Sequence, residues 1–325
     1  MTYYSPIVAA LVTVLMIAVI IRSKFGNKVQ DIPNERSLHS TPVPRIGGVG
    51  LTAGVLSGWV LQFNSLTWWL VLPLIALFVV SMLDDMYGLP VRHRFSVQFI
   101  AAVILVGGAG LFGHQGVVVA TLVVLLTVWM TNLYNFMDGS DGLAGGMGLF
   151  GFGIYALAAW MNHNEVLAML NLCIAATALG FLYFNFPPAK LFMGDAGSIP
   201  LGFLAAAMGL VGWQQGSWGA WFPLLVFSPF IVDASVTLVK RSLRGVKVTE
   251  AHREHYYQRA IQMGWSHRNM ALLEYALMLG CGLTALFTLG QAFPWFALIV
   301  WSAIYAALML PLDAAWKRFE RGQHA

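Results

Sequence analysis

A chain of 325 residues that is 58% hydrophobic and only 10% charged, with mean hydropathy +0.72, lies outside the range of soluble domains. At roughly 20 apolar residues per crossing it has room for about ten or eleven membrane helices and short loops, which excludes a separate soluble domain. The net charge of +4 says less than where the charges fall.

Apolar runs fall at about 4–21, 46–63, 69–83, 95–112, 117–134, 143–161, 165–184, 198–213, 220–239, 270–289 and 294–312, so eleven crossings are expected in an all-α polytopic fold of one domain, residues 1–325. The first run is followed by Arg22, Lys24 and Lys28, the reverse of a cleavable signal peptide, and reads as a retained helix. With the N-terminus outside, all 18 Lys and Arg lie in connections 22–45, 84–94, 185–197 and 240–269 or in the C-terminal tail, and the opposite loops hold none. The positive-inside rule then puts those connections, and the C-terminus, in the cytoplasm. Such a basic inner face suits anionic lipids and phosphorylated substrates, while nucleic acid is excluded for want of a basic and aromatic module outside the membrane. Cys173 and Cys281 lie inside apolar runs and read as small buried hydrophobes, not a disulfide.

The candidate chemistry sits on the basic side. In DIPNERSLHSTPVPRIGGVG, Arg36, His39 and Arg45 precede a helix start at Gly47 and Gly48 that could hold phosphate; anchoring by positive charge is the plainer alternative. Asp84 and Asp85 close the third run, where adjacent carboxylates call for a divalent cation or a basic partner among Arg92, His93 and Arg94. NLYNFMDGSDGLAGG, residues 132–146, carries Asp138 and Asp141 three apart, a spacing that predicts one face of a helical turn, and four glycines for close approach of an anion or another helix. In NFPPAKLFMGDAGS, Asp195 or Ser198 is expected to cap the eighth helix. Asp233 lies within the ninth run and is functional by default; His114 and His163 read as polar loop residues. A short interfacial helix is expected over EAHREHYYQRAIQ, with His252, His255 and Arg259 on one face. Carboxylate oxygens without Cys or Glu-x-x-His ligands favour Mg²⁺, with Mn²⁺ as substitute, over zinc, and suit phosphoryl transfer.

At these residues the sequence resembles the polyprenyl-phosphate N-acetylhexosamine-1-phosphate transferases. PNERSLHSTPVPRIGG, DDMYGL, NLYNFMDGSDGLAGG, LFMGDAGS and PFIVD occur in family order over nearly the whole chain. The resemblance implies transfer of a sugar 1-phosphate from a UDP-N-acetylhexosamine to undecaprenyl phosphate, with release of UMP, at the cytoplasmic face of a bacterial inner membrane. It implies Asp195 as main metal ligand, Asp84 or Asp85 as base or metal support, and Asp138 and Asp141 near nucleotide and metal. Phe192 becomes a platform for uracil, and Arg36, His39 and Arg45 become phosphate holders. Asn135, Lys190, His252, His255 and Arg259 complete the substrate-binding set, and a homodimer is what some relatives suggest. The last basic connection keeps fewer histidines than many relatives, which points toward initiation of O-antigen or a related surface polysaccharide. Two other classes compete. An ion-coupled transporter would use Asp233 and glycine-broken helices but should show inverted repeats, and a CDP-alcohol phosphotransferase would carry Ala-Arg after its first Asp-Gly, where this chain has SDGLAGG.

Overall fold

The computed structural model describes residues 2–23, 29–31, 38, 42–247 and 252–323, so Arg36 and His39 lie outside the described residues. Among the described residues the regular structure is helical apart from a two-stranded antiparallel ribbon, β1 (Gln30–Asp31) with β2 (Val43–Pro44). The helices are α1 (Ser5–Arg22), α2 (Gly47–Val60), α3 (Trp68–Tyr87), α4 (Val91–Gly108), α5 (Leu111–His114), α6 (Gly116–Phe136) and α7 (Leu143–Met161). They continue as α8 (Glu165–Asn185), α9 (Asp195–Gln214), α10 (Trp221–Val226), α11 (Ser228–Leu243), α12 (Tyr256–Gln262), α13 (His267–Phe287) and α14 (Trp295–Gln323).

Each of the eleven expected runs is helical. Among the described residues, eight helices, α1, α3, α6, α7, α8, α9, α13 and α14, are long and apolar enough to cross a membrane. The other three runs depart for local reasons. With 14 residues, α2 spans about 21 Å at 1.5 Å per residue, less than a hydrocarbon core. The first turn of α4 is spent on Arg92, His93 and Arg94. The ninth run is broken at Phe227 because Pro229 has no N–H to donate back into α10, so α11 begins afresh there.

The centre of the bundle is α7, α8 and α9, whereas α14 shows most of its surface to the exterior. Helices approach most closely where side chains are missing. At the crossing of α2 and α9, a methyl on Gly48 would overlap Gly197 N and Ala196 C, and one on Gly197 would lie 2.9 Å from Gly48 Cα. Backbone bonds fix this crossing from outside, since Gly47 N and Gly48 N donate to Phe192 O and Met193 O at 2.9 Å. The glycine-rich start of α7 serves packing: Gly145 faces Leu182 and Phe181, and Gly146 faces the Tyr275 ring. At these two of the four glycines the close approach is that of neighbouring helices.

Candidate active site

The connection from α3 to α4 is only three residues long. Gly88 takes the left-handed conformation that ends α3 (φ 69°), and Pro90 starts α4. This tight reversal returns Arg94 over the end of α3, where its Nη1 lies 2.5 Å from Asp84 Oδ2 and 3.0 Å from Asp195 Oδ2. Of the three basic residues offered by the sequence, Arg94 is thus the one that pairs with Asp84, and it joins carboxylates more than a hundred residues apart. The second oxygen of Asp84 accepts from Leu89 N at 2.6 Å.

Asp85 has a different task. Its carboxylate accepts from Asp195 N (3.2 Å) and Ala196 N (2.9 Å), and Arg45 Nη2 stands 3.5 Å away. A carboxylate from α3 therefore satisfies the first amides of α9 and sits at the positive end of its dipole. This corrects the expectation that Asp195 or Ser198 caps that helix. Ser198 Oγ instead donates to Asn135 Oδ1 at 2.8 Å and to Gly194 O, tying α9 to the end of α6.

The segment 137–142 between α6 and α7 is a loop and not a helical turn, so Asp138 and Asp141 do not share a helix face as their spacing predicts. Positive φ at Gly142 (76°) ends the loop, and Gly142 N donates to Asn185 Oδ1 at 2.9 Å. Asp141 accepts from Ala189 N (3.0 Å) and lies 3.9 Å from His267 Nδ1, while Ser140 Oγ meets the same ring nitrogen at 2.9 Å. Tyr257 supports the other end, donating its hydroxyl to Phe136 O at 3.0 Å, with no room left for a side chain at Gly139. Asp138 is half-buried and accepts no hydrogen bond among the described residues. Burial first, then the charges of Asp195 and Asp85, holds its carboxyl well above the usual carboxylate range.

Beyond this centre, the last basic connection is arranged differently from expectation. The helix covers only Tyr256–Gln262, with His255 at its N-cap, so His252 and His255 precede it and do not share a helical face with Arg259. The His255 ring stacks on Phe136 and Tyr257 and stands 3.5 Å from Asp233 Oδ1. Asp233, whose depth suggested function, accepts from Tyr256 N (2.8 Å) and Tyr257 N (3.1 Å) and so anchors α12. Arg259 is buried against Asp313 (3.1 Å), Glu254 and the Trp316 ring. Glu254 also pairs with Arg241 and Arg244, and these partners outweigh its burial and hold its carboxyl below the usual range. Burial, then the charges of His255 and Arg241, lowers His252 to about 4.

The structure thus gathers Asp84, Asp85 and Asp195 with Arg45 and Arg94, couples Asp138 to them electrostatically, ties Asn135 to α9 through Ser198, and places Asp141 on the loop of Asp138 but against Ala189 and His267. Lys190 is exposed and half-buried Phe192 lies on the chain that borders the α2–α9 crossing, its N–H donating to Pro44 O at 2.7 Å. Arg259 belongs to a separate network. Sequence reasoning missed His267, Tyr257 and Asn185, which hold the 137–142 loop; the step from a helix end into Pro187 and Pro188 was the one available signal, and it pointed at Asn185.

The donor set is of the chemical kind that would hold a magnesium ion. Asp138 and Asp195 would offer it hard oxygens, Asp138 accepts no hydrogen bond among the described residues, and an arginine nitrogen already lies between Asp84 and Asp195. Among the described residues no three His, Cys, Asp or Glu side chains gather closely enough to hold an ion by themselves. A cation there would need water and substrate phosphate to complete its shell, as Mg²⁺ bound through one or two carboxylates does.

Residues 67–212 match the family described as Glycosyl transferase family 4. The chain is 30% identical to a probable undecaprenyl-phosphate N-acetylglucosaminyl 1-phosphate transferase of Bacillus subtilis, over 90% of this chain and 86% of that protein. It is 30% identical to a decaprenyl-phosphate N-acetylglucosaminephosphotransferase of Mycolicibacterium smegmatis, over 88% of this chain and 82% of the relative. A phospho-N-acetylmuramoyl-pentapeptide-transferase of Oceanobacillus iheyensis is also 30% identical, over 63% of this chain and 73% of its own length.

Proposed function

Because the chain belongs to the superfamily of polyprenyl-phosphate N-acetylhexosamine-1-phosphate transferases, we propose that it moves N-acetylhexosamine 1-phosphate from a UDP-sugar to undecaprenyl phosphate at the cytoplasmic face of a bacterial inner membrane. UMP is the leaving group, and the product initiates O-antigen or a related surface polysaccharide. The observation that carries this reading is the meeting of Asp84 and Asp195 on one Arg94 nitrogen, with Asp138 electrostatically coupled to the same centre. Relatives named for N-acetylglucosamine support that donor, and the sparse histidines of the last basic connection favour surface polysaccharide over peptidoglycan.

An oxygen of the lipid phosphate attacks the phosphorus that carries the sugar, and the bond from that phosphorus to the UMP oxygen breaks. A phosphate monoester has a second pKa near 6, so at neutral pH the acceptor is largely a dianion and needs little help from a strong base. The difficulty is bringing two anions together. Mg²⁺, when held by Asp138 and Asp195, would neutralise and orient the diphosphate. Arg94 offers its guanidinium N–H groups to the phosphate oxygens beside Asp84. Asp84 and Asp85, whose oxygens accept backbone amides, keep the turn before α4 and the first turn of α9 in register. Asn135, through Ser198, fixes α9 against the 137–142 loop.

The test is UMP release by purified protein with Mg²⁺, undecaprenyl phosphate and a panel of UDP-N-acetylhexosamines. Asp195→Asn should lower turnover by at least about a hundredfold, the scale of removing one preorganised electrostatic group. A panel in which no sugar nucleotide gives lipid-linked product would overturn the assignment.

A further inference from the structure

Away from the catalytic centre, α11, α12, α13 and α14 enclose a cavity of about 350 Å³. Its wall is apolar, with Met270, Leu277 and Met309 among the lining residues, and it opens to the exterior of the bundle beside the exposed Trp265 and Leu308. Into this wall the helix α13 places Glu274, which is 6% exposed and whose Oε2 has no hydrogen-bond partner among the described residues. Glu274 lies seven residues into α13 from His267, about 10 Å along the helix axis from its start.

Among the described residues, neighbouring elements do not compensate it. From α11, Asp233 spends both oxygens on the amides of Tyr256 and Tyr257. Lys240 is paired with Asp313, and Arg259 with Asp313 and Glu254. From α14, the Tyr305 hydroxyl is engaged with Ser228 and Cys281. A buried carboxyl in an apolar wall without a partner is costly in either charge state. An amine answers both states. It arrives uncharged through the bilayer and takes the carboxyl proton, its new N–H bond forming as the Glu274 O–H bond breaks. Both charges then arise together as a pair.

We propose that this cavity is a binding site for an amphiphile bearing a primary amine, its chain against Met270, Leu277 and Met309 and its ammonium on Glu274. The test uses the purified full-length protein in nonionic detergent with radiolabelled dodecylamine, dodecanol and dodecanoic acid. The wild type should bind dodecylamine at least about tenfold more tightly than either of the others, and Glu274→Gln should reduce the amine to the level of the alcohol. Equal binding of amine and alcohol by the wild type, or undiminished amine binding by Glu274→Gln, overturns the proposal. Should that variant fail to fold, Leu277→Trp fills the cavity and keeps the carboxyl; binding of dodecylamine must then be lost, and its retention is equally fatal. In bilayer nanodiscs, displacement of the label by phosphatidylethanolamine but not phosphatidylcholine assigns the ammonium to a membrane lipid. Displacement by neither assigns it to a free amphiphile, and equal displacement by both shows that only the chain is recognised and contradicts the proposal.

Discussion

Replacing Gly48 by alanine should disable the enzyme without changing any polar side chain of the site. The added methyl would overlap Gly197 N and Ala196 C and lie 2.7 Å from Ala196 O, where ordinary contact begins at 3.4 Å. All three atoms are backbone, so no side chain can swing away, and α2 must part from α9 by about 1 Å. Overpacking of this kind costs about 1–3 kcal/mol of stability. The same shift carries the first turn of α9, with Asp195 on it, away from Arg94 and from the Asp85 carboxylate that accepts its amides. A displacement of about 1 Å at a reacting centre is worth roughly a hundredfold in rate. The assay is UMP release at saturating substrates, beside thermal unfolding in detergent. Gly107→Ala is the control, because a methyl there meets nothing within 4 Å and should leave turnover unchanged. Wild-type turnover in Gly48→Ala would refute the claim that this crossing positions the site.

Gly139→Ala should impair turnover through Tyr257, whose hydroxyl occupies the space a methyl would need; adding Tyr257→Phe leaves Cζ as the nearest ring atom at 3.3 Å and should restore part of the activity, measured by the same UMP assay. Asp233→Ala removes the acceptor for two buried amides and should cost roughly 2 kcal/mol or more in denaturant unfolding, while an unchanged midpoint would show that α12 does not depend on it. His252 has a folded pKa of about 4 against an ordinary 6.5, so it favours the fold when neutral. That contribution is complete above pH 6.5 and is lost as pH falls toward 4; His252→Gln should flatten this part of the stability profile measured by thermal unfolding.

Much of this architecture is legible in the residues because a bilayer forces backbone polar groups to bond within a helix, and apolar length then marks each crossing. The segregation of Lys and Arg likewise marks the end of the bundle that holds Asp84, Asp138 and Asp195. What the sequence does not reveal is the division of labour among acids of the same type. Asp85, Asp141 and Asp233 accept backbone amides from segments far away in the chain, whereas Asp195 meets the Arg94 guanidinium and Asp138 accepts no hydrogen bond among the described residues. Such long-range amide partners carry no local signal. The expected helical turn at Asp138 and Asp141 fails for a local reason, because Gly139 and Gly142 favour a loop once Tyr257, His267 and Asn185 are there to hold it. Helical spacing also misplaced His252 and His255, since the amides of Tyr256 and Tyr257 take Asp233 as their acceptor and start α12 at Tyr256.

The central claim is that Asp138 and Asp195 grip one hard cation that in turn grips a diphosphate. Pulsed electron paramagnetic resonance of Mn²⁺ in place of Mg²⁺, with UDP-N-acetylglucosamine bound, addresses it directly. The account predicts phosphorus hyperfine coupling to the bound manganese in the wild type and its loss in Asp195→Asn. Bound manganese without phosphorus coupling, or coupling that survives unchanged in Asp195→Asn, would contradict it.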